Sequence, residues 1–427
     1  MTNKNLDHGL WAETAPSPPT LDTFQGDKKT DVAIIGGGYT GLSAALYLAE
    51  KGTDSLLLES KHVGYGGSGR NVGLVNAGLW LMPEDVIKIV GKEHGEHLVD
   101  LLGKAPDLVY ELIEKHQIAC EAKRVGTLHC GHAATGLKDL EQREAQWQKR
   151  GAPVKLLSRE ETAEKTGSTK FHGALLDERA GTVQPLAYVH GLAHAALAAG
   201  AQLFGNSPVT GLKKENGGWV LTTPGGTVKA KSIILATQGY PQFAFKDKIN
   251  ALIPFNYFQF ATQPLSDDIR KKVLCQGHAA WDTALILSSY RFDDSNRFIV
   301  GSVGQVINGG YGTHEAWALR SIKKVFPQIP TTQLEYAWGG RIAMTTDHIP
   351  RFHMPDKSFV TVTSYNGRGI APGTVFGKLM AQLVQGEVEP KDIPLPLQKE
   401  KPIFMRNLRG LFYETGARLY HTAQRRI

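Results

Sequence analysis

Apolar and polar residues follow one another near the start of the chain in an order that predicts a strand, a helix and a second strand. Residues 31–35 are mostly β-branched and apolar, which is typical of a parallel strand buried on both faces. Residues 42–50 have a helix-forming composition, and Gly52 stands where such a helix would end. A second apolar run follows at residues 55–58. This order predicts one βαβ unit of a parallel sheet.

The same apolar periodicity predicts further elements along the chain. Helices are predicted at residues 86–113, 137–150, 186–199, 314–326 and 374–384. Strands are predicted at residues 125–130, 202–204, 208–210, 219–223, 231–237, 252–262, 284–291 and 297–301. Short β-rich runs separated by turns after residue 246 favour a mostly antiparallel sheet in that part of the chain.

The turn between the first strand and helix reads Gly-Gly-Gly-Tyr-Thr-Gly, residues 36–41, which is a G-x-G-x-x-G pattern. In such a unit Gly36 allows the tight turn, Gly38 lets the backbone approach a pyrophosphate, and Gly41 lets helix and strand pack closely. Glu59 ends the second strand 18 residues after Gly41 and is placed to accept hydrogen bonds from a ribose. The alternative is a glycine-rich turn of another α/β protein. The full order of strand, glycines, helix, strand and acid favours a dinucleotide site.

A second glycine-rich stretch, residues 62–71, begins within three residues of Glu59 and reads His-Val-Gly-Tyr-Gly-Gly-Ser-Gly-Arg-Asn. With this stretch the chain resembles the D-amino-acid oxidase superfamily of FAD enzymes, whose members carry a G-x-S-x-x-N-x-G-like loop against the flavin. The resemblance covers nearly the whole chain. It is closest to the branch of L-pipecolate oxidase and gamma-glutamylputrescine oxidase, in which residues 69–73 have close counterparts.

The resemblance implies a mixed α/β (α+β) fold, with a Rossmann-like FAD-binding domain interrupted by an antiparallel-sheet substrate domain. The FAD-binding domain is expected at residues 31–82, 151–245 and 336–395, and the substrate domain at residues 83–150 and 246–335. Residues 1–30 are expected to be an extended lead-in without a core of its own, because they contain Pro16, Pro18, Pro19 and Gly26. His8 and Trp11 in this lead-in are expected to be exposed, with packing on the body as the alternative.

The resemblance also implies the residues that contact FAD. They are Gly36, Gly38, Tyr39, Thr40, Gly41, Glu59, Ser68, Gly69, Arg70, Asn71, Val209, Ala236, Thr237, Gly367, Gly369 and Ile370. Val209 matches a residue that touches adenine through its backbone, and the end of the strand at Ala236 and Thr237 matches one beside the pyrophosphate. No histidine or cysteine stands where relatives bond the flavin, so FAD is expected to be held non-covalently, and no metal is expected.

Two late segments resemble parts of the superfamily that lie at the reacting end of the flavin. Residues 338–350 resemble a W-x-G-x-R…D-x-x-P segment, and an arginine matched to Arg341 is expected to hold the substrate carboxylate in bidentate fashion. The alternative is a salt bridge from Arg341 to Asp347 or Glu335. Residues 365–373 lead into a helix whose N-terminus would stabilise an anionic reduced flavin. Tyr257, Gln259, His348 and Tyr365 are further candidates for the cavity wall; no catalytic base is identified.

These expectations together predict an FAD-dependent oxidoreductase that converts a C–N bond of an amine or amino acid to the imine, with oxygen or an electron carrier taking up the electrons. A cyclic secondary amino acid such as L-pipecolate, which would place the enzyme in lysine catabolism, is the leading substrate because Arg341 offers a carboxylate partner. Gamma-glutamylputrescine or another polyamine conjugate is the alternative. A non-catalytic or RNA-modifying flavoprotein is a third interpretation, which the near-neutral body and the lack of interleaved basic and aromatic residues disfavour.

Charge distribution and cysteine content bear on nucleic-acid binding and on the compartment in which the protein is expected. The formal charge is +7, but residues 403–427 hold five arginines against one glutamate, a net of +4, which leaves +3 for the other 402 residues. That distribution disfavours nucleic-acid binding. Three cysteines without C-x-x-C spacing and an N-terminus without an apolar segment favour a reducing, cytoplasmic setting.

The basic tail, residues 396–427, is predicted to form an amphipathic helix. Phe404, Met405, Leu408, Leu411, Phe412 and Leu419 recur at spacings near three and four, and Arg406, Arg409, Arg418, Arg425 and Arg426 occupy much of the remaining surface. A basic amphipathic helix can lie in a membrane interface, which would make the enzyme peripheral to the inner face of the membrane. The alternative is that the apolar stripe packs on the protein body.

Overall fold

Two large β-sheets organise the structure, a computed structural model that describes residues 7–240, 251–307, 309–330, 333–397 and 402–423. The helices in these ranges are α1 (Leu10–Thr14), α2 (Tyr39–Glu50), α3 (Pro83–Val90), α4 (Lys92–Lys115), α5 (Ala134–Gln148), α6 (Arg159–Thr166), α7 (Pro185–Ala198), α8 (Asp267–Arg270), α9 (Tyr311–Val325), α10 (Ile370–Gln385) and α11 (Arg406–Ala423). The strands are β1 (Lys28–Ile35), β2 (Ser55–Leu58), β3 (Leu74–Val75), β4 (Thr127–Cys130), β5 (Val154–Leu157), β6 (Ala174–Asp177), β7 (Gly181–Thr182), β8 (Gln202–Phe204), β9 (Gly211–Glu215), β10 (Gly218–Thr223), β11 (Gly226–Leu235), β12 (Ile253–Pro264), β13 (Ala279–Asp282), β14 (Ser288–Phe292), β15 (Arg297–Val303), β16 (Tyr336–Met344), β17 (Arg351–Asp356) and β18 (Phe359–Thr363).

The first sheet has β1 at its centre, hydrogen-bonded in parallel to β2 on one side and to β11 on the other. Strands β8 and β18 extend the parallel part, and β9, β10 and β17 add antiparallel edges. Both faces of β1 are covered: Val32 and Ile34 belong to one apolar cluster, and Ala33 and Ile35 belong to another. The predicted mixed fold with a Rossmann-like unit is confirmed. The carboxyl ends of five parallel strands therefore meet at one edge of the sheet.

The second sheet is mainly antiparallel and has the strand order β16-β12-β15-β14-β13-β4-β6-β5, with one parallel pair between β13 and β4. Three of its strands lie outside the residue ranges predicted for the substrate domain. Strands β5, β6 and β16 lie in ranges assigned to the FAD-binding domain, yet β5 and β6 pair beside β4, and β16 pairs with β12 over nine residues, Ile253 to Ala261. Which strands join a sheet depends on pairing between segments that are distant in sequence. The pattern of apolar and polar residues does not specify that pairing.

The start of the lead-in packs on the core, so the predicted exposure of His8 and Trp11 is wrong, whereas residues 15–27 form no helix or strand. Residues 10–14 form α1, and the Trp11 side chain is fully buried, with its ring 5.4 Å from the Trp338 ring. The Trp11 indole N–H donates to the Asn71 carbonyl at 2.8 Å. His8 is also buried and contacts the Gly64 carbonyl at 3.1 Å. The alternative, packing on the body, is confirmed; residues 1–6 lie outside the described residues.

The basic tail forms α11, and this helix lies on the second sheet through a narrow face of small and polar residues. Ala417 and His421 are fully buried, and a Cβ at Gly410 would lie 3.2 Å from Pro254. The apolar side chains predicted to share one face remain exposed instead: Phe404, Met405, Leu408, Leu411, Phe412 and Leu419. Arg425 and Arg426 lie outside the described residues. No helix in the described ranges is both long enough and apolar enough to cross a bilayer.

Candidate functional site

The glycines after β1 form a turn that leaves no room for side chains. Gly36 has φ +109°, and a Cβ there would lie 2.8 Å from the Ala236 carbonyl oxygen at the end of β11. A Cβ at Gly41 would collide with the Gly36 carbonyl oxygen. Tyr39 and Thr40 begin α2, so the first-turn amides of this helix point out of the end of the sheet. This is the geometry of an anion site at a helix N-terminus.

Glu59 lies at the same edge, at the end of β2. Its Oε2 accepts a hydrogen bond from the Gly37 amide at 2.7 Å, and its Oε1 accepts one from the Lys61 amide at 2.9 Å. The buried residue Val209 is two positions after Ser207, whose amide donates to the Glu59 carbonyl at 2.8 Å. The predicted strand at residues 208–210 is wrong, because the chain crosses the ends of β2 and β8 here and the strand begins only at Gly211.

The second glycine-rich stretch folds over the start of α2. Residues 67–69 form one turn of 3₁₀ helix, and the Ser68 hydroxyl accepts a hydrogen bond from the Tyr39 amide at 3.1 Å. A Cβ on Gly38 would lie 2.8 Å from that hydroxyl, and a Cβ on Gly69 would lie 2.7 Å from Leu186. The predicted pyrophosphate glycine and the predicted flavin loop are therefore in contact.

The polar groups of Arg70 and Asn71 form their ion pair and hydrogen bonds with other residues of the protein. Arg70 forms an ion pair with Asp7, and its Nε donates to the Tyr65 carbonyl at 2.7 Å. The Asn71 amide nitrogen donates to the carbonyls of residues 67 and 68 at 3.0 Å each, and its oxygen accepts from the Gly73 amide at 2.8 Å. These contacts assign both side chains to shaping the loop, and any contact of theirs with FAD stays a prediction.

The late loop, residues 364–370, lies beside the same helix start. Gly367 has φ +90°, Gly369 precedes α10, and the first residue of that helix, Ile370, is buried. The Tyr365 hydroxyl and the Thr40 hydroxyl are 2.9 Å apart, and a Cβ at Gly373 would lie 3.2 Å from the same Thr40 hydroxyl. The N-termini of α2 and α10 therefore lie close together, so the positive ends of two helix dipoles serve one region.

These residues fit FAD on the observations above: a glycine turn that a Cβ would fill, free amides at the start of α2, and a carboxylate at the end of β2. Gly36, Gly38 and Gly41 with the first turn of α2, together with Ala236 and Thr237, would hold the pyrophosphate. Glu59 and the backbone at Val209 would hold the adenosine, and residues 367–370 would lie along the ring. FAD when bound supplies a two-electron acceptor, while the chain supplies placement and charge. Each residue assignment stays a prediction.

Arg341 differs from its predicted surroundings. Its side chain is exposed, its guanidinium lies 5.6 Å from the centre of the Tyr240 ring, and its amide donates to the Tyr240 hydroxyl at 2.8 Å. In a W-x-G-x-R pattern the arginine is four residues after the tryptophan, and that position in this chain is Ile342. Ile342 faces the late loop, since a Cβ on Gly367 would lie 3.2 Å from its Cδ1.

A shift of one residue along β16 turns a side chain to the other face of the sheet, which explains the exposure of Arg341. The alternative salt bridge to Asp347 is not formed, because Asp347 pairs with Arg351 at 2.7 Å. The carboxylate role of Arg341 stays a prediction that these contacts do not favour.

A different arginine, which was not among the residues predicted from the sequence, is buried beside the late loop. The Arg368 guanidinium lies against the rings of both Trp80 and Trp281, 4.8 Å and 5.1 Å from their centres. It donates to the Ala77 carbonyl at 2.9 Å. Burial lowers the pKa of Arg368 to about 9, with the Arg143 charge contributing in the same direction, so the group is still cationic at neutral pH. Its position between the two glycines of the loop was the available sequence signal.

The other candidates for the cavity wall divide into two groups. On β12, Gln259 is buried and Tyr257 is half-buried, and the buried Tyr257 hydroxyl and Gln259 Oε1 have no hydrogen-bond partner in the described part of the chain. Burial raises the pKa of Tyr257 well above its usual value. The Tyr365 hydroxyl is already hydrogen-bonded to the Thr40 hydroxyl, and His348 lies in a turn with φ +58°.

Comparison with known proteins agrees with this geometry. The family described as DAO, FAD dependent oxidoreductase, matches residues 31–383. Gamma-glutamylputrescine oxidoreductase of Escherichia coli (strain K12) is 30% identical over 426 residues and covers 97% of both chains. Probable oxidoreductase OrdL of Rhizobium meliloti (strain 1021) is 30% identical over 386 residues, with 90% of both chains covered.

Among solved structures, glycine oxidase from Geobacillus kaustophilus superimposes with a TM-score of 0.73 at 20% identity, over 87% of this chain and 100% of that one. This likeness supports the fold. Together the matches confirm the predicted superfamily, the FAD cofactor and the enzyme class, an FAD-dependent amine or amino-acid oxidoreductase. The chain belongs to the DAO family of FAD-dependent oxidoreductases.

Proposed function

We propose that the chain oxidises the C–N bond of an amine that carries a carboxylate, giving the corresponding imine. The observation that supports this proposal is the buried Arg368 side chain within the predicted flavin loop. Among the described residues no carboxylate lies within ion-pair distance of it. A buried charge without a counter-charge is costly, and a substrate carboxylate would supply that counter-charge.

Two substrates meet this description and differ in where the carboxylate lies. In a cyclic secondary amino acid such as L-pipecolate it is attached to the carbon that is oxidised. In gamma-glutamylputrescine it lies at the end of the molecule remote from the reacting amine. The full-length likeness to the Escherichia coli gamma-glutamylputrescine oxidoreductase supports the second. The exposed Arg341 side chain weakens the argument that first led to L-pipecolate.

The protein's own contribution to the reaction is placement and electrostatics. Arg368 would fix one end of the substrate, and the buried apolar walls would exclude water from the other. The positive charge of Arg368 and the loss of solvent would both lower the pKa of a bound substrate ammonium. The amine is thereby favoured in its neutral form, the form that has a lone pair available when the C–H bond breaks. No side chain of the described residues is assigned as a catalytic base.

The decisive experiment is reduction of the purified yellow holoenzyme by candidate substrates without oxygen. L-Pipecolate and gamma-glutamylputrescine are each compared with a partner that lacks the carboxylate charge, namely pipecolamide and the gamma-glutamylputrescine carboxamide. Bleaching of the visible flavin bands by an acid, at least ten times faster than by its amide at equal concentration, supports the proposal. Equal rates within each pair would remove the role of the carboxylate. Repeating the reaction in air, with hydrogen peroxide measured, separates oxygen from an electron carrier as acceptor.

We also propose that α11 brings the enzyme to the inner face of a membrane. The apolar side chains of this helix that remain exposed include Phe412 at 74%, Leu419 at 65% and Leu411 at 60%. Arg409 lies on the same helix, and basic residues near an anionic surface each contribute up to about 1 kcal/mol of binding. A peripheral position would suit an enzyme that gives its electrons to a membrane carrier.

A further inference from the structure

A small cavity lies between the late loop, β4, β13 and α5. Its volume is about 30 Å³, and the residues that line it include Asn76, Thr127, His129, Arg143, Trp281 and Arg368. A water molecule needs about 10–15 Å³ of such space, so the cavity has room for roughly two waters or one carboxylate group. The strands in its walls belong to the second sheet, and the late loop follows β18 of the first sheet, so the cavity lies where the two sheets meet.

The walls of this cavity carry more positive than negative charge. Arg143 and Arg368 both line it, and Arg143 donates to the carbonyls of Trp80 and Leu81, at 2.5 and 3.3 Å, rather than to a carboxylate. Asp177 is the one acidic side chain among the lining residues, and both of its oxygens are already bound to Arg179, at 2.8 and 2.7 Å. Two guanidinium groups therefore face the cavity without a neutralising acid.

Several polar hydrogens at the cavity are also unused. Arg368 Nε, His129 Nδ1 and Trp281 Nε1 are buried and have no hydrogen-bond partner among the described residues. The His129 ring is stacked on the Trp281 ring with their centres 3.4 Å apart, so these groups are adjacent. Arg368 Nε and Trp281 Nε1 can only donate, and His129 Nδ1 donates when it carries the ring proton. A set of buried donors without acceptors is complementary to an anion.

We propose that this cavity, the Arg143/Arg368 pocket, binds the carboxylate of the substrate. The inference rests on the proposed function and deepens it, since it assigns the carboxylate to residues 143, 368, 129 and 281 in place of Arg341. A carboxylate offers about four acceptor positions and no donor, which matches the unused donors. The rings of Trp80 and Trp281 are nearly perpendicular with their centres 5.0 Å apart, and the Arg368 guanidinium contacts both rings, which limits its movement at the cavity.

The pocket also predicts which end of the substrate is charged and where it sits. Arg368 is flanked by Gly367 and Gly369, the two residues expected to lie along the flavin ring, so a carboxylate bound here would be near the reacting end of the site. This position suits a carboxylate attached to the oxidised carbon, as in L-pipecolate, and disagrees with the remote carboxylate of gamma-glutamylputrescine, so the pocket favours the first of the two substrates. Arg341 is on the opposite face of β16 from Ile342, and Ile342 is the residue that contacts the late loop. Assigning the substrate carboxylate to Arg368 or to Arg341 therefore places it on different faces of β16.

Binding of a probe to the holoenzyme tests the pocket without turnover. Acetate, which fits the cavity, is titrated by calorimetry into wild-type protein and into Arg368→Gln, Trp281→Phe, Arg341→Gln and Arg159→Gln, with acetamide as the uncharged probe. Arg159 is an exposed arginine on α6 and serves as the matched control. Flavin content and melting temperature of each variant confirm that it is folded.

The expected results differ for each variant. Arg368→Gln is expected to weaken acetate binding about tenfold to hundredfold, as for loss of charged hydrogen bonds. Trp281→Phe keeps the aromatic ring and loses one N–H, so a loss of about twofold to tenfold is expected. Arg159→Gln and Arg341→Gln are expected to bind acetate as the wild type does, and acetamide is expected to bind at least tenfold more weakly than acetate.

Three outcomes would overturn the assignment: no acetate binding to the wild type, equal binding of acetate and acetamide, or a loss in Arg341→Gln without one in Arg368→Gln. The pocket and the proposed function can fail separately. If acetate binding depends on Arg368 but no carboxylate-bearing amine reduces the flavin, the proposed function is wrong and the pocket stands. If such an amine is oxidised with an unchanged KM in Arg368→Gln, the function stands and the pocket is wrong.

Discussion

Replacement of Glu59 by alanine is the sharpest test of how the chain holds its cofactor. The carboxylate is half-buried and accepts hydrogen bonds from the Gly37 and Lys61 amides, at 2.7 and 2.9 Å. Losing two such bonds to partly exposed amides should lower the free energy of unfolding by about 1–3 kcal/mol. A predicted ribose hydrogen bond to the same carboxylate adds a separate effect, because each charge-assisted bond contributes about 1.5–3 kcal/mol to FAD binding, or roughly tenfold to hundredfold in Kd.

The two effects are separated by measuring unfolding and flavin retention on the same preparations. Urea denaturation of the flavin-free protein gives the first effect, and the flavin-to-protein ratio after gel filtration gives the second. Glu59→Gln keeps one oxygen acceptor and loses the charge, so it should fall between wild type and Glu59→Ala. Glu50→Ala is the matched control, because Glu50 ends the same helix that starts at the glycine turn and pairs at the surface with Lys115.

Full flavin content in Glu59→Ala, with a lowered free energy of unfolding, would show that Glu59 only braces the turn, and the ribose assignment would be wrong. Loss of flavin from Glu50→Ala as well would mean that the effect is a general weakening of α2. Retention in Glu50→Ala with loss in Glu59→Ala supports the assignment.

Three further predictions concern parts of the molecule away from the turn. Arg291→Met should lower the free energy of unfolding by about 3 kcal/mol or more, since the buried guanidinium donates to the Val183 and Val72 carbonyls at 2.6 and 3.1 Å; urea denaturation measures this, and an unchanged midpoint refutes it. Burial lowers the pKa of His314 to about 4 and of His421 to about 3, and their Nδ1 atoms are 2.9 Å apart, so both rings cannot be protonated in place. Their stabilisation is therefore complete above pH 6.5 and is lost as the pH falls towards 4; the protection factors for amide hydrogen exchange of residues 406–423, which correct for the pH dependence of the intrinsic rate, should fall between pH 7 and 5, and equal protection at both values contradicts this. Finally, full-length protein should sediment with anionic vesicles at low salt more than a chain ended at residue 402, and equal sedimentation of the two leaves α11 without a membrane role.

The parallel half of the fold could be predicted because its signals are local. Buried strands β1 and β2 appear as continuous apolar runs, and the glycine spacing between them is fixed by the turn itself. The residues of the glycine turn and Glu59 are brought to one edge of the sheet, as expected from strands that run in the same direction. The family, the FAD cofactor and the enzyme class followed from these motifs and are confirmed.

The other half depends on contacts between distant residues, and the sequence alone does not contain them. Trp11 looks like part of an unstructured lead-in until Trp338 and Asn71 are placed against it. In the sequence, Arg143 resembles the other charged residues of a solvent-exposed helix, although its side chain lines a cavity. Arg341 was matched to its pattern one residue out of register, which on a strand exchanges the two faces.

The central position of β1 has a consequence for how the protein is made. Its neighbour β11 begins 191 residues after β1 ends, counted from 35 to 226, and β18 ends only at residue 363. Ribosomes add about 5–20 residues per second, so roughly 15–65 s pass between the emergence of β1 and completion of the sheet. During that interval a strand whose second half, residues 32–35, is apolar has an unpaired edge, which is a template for association with other chains. The yield of soluble protein should therefore depend on the supply of chaperones during synthesis. Growth at a lower temperature alone should not substitute for those chaperones.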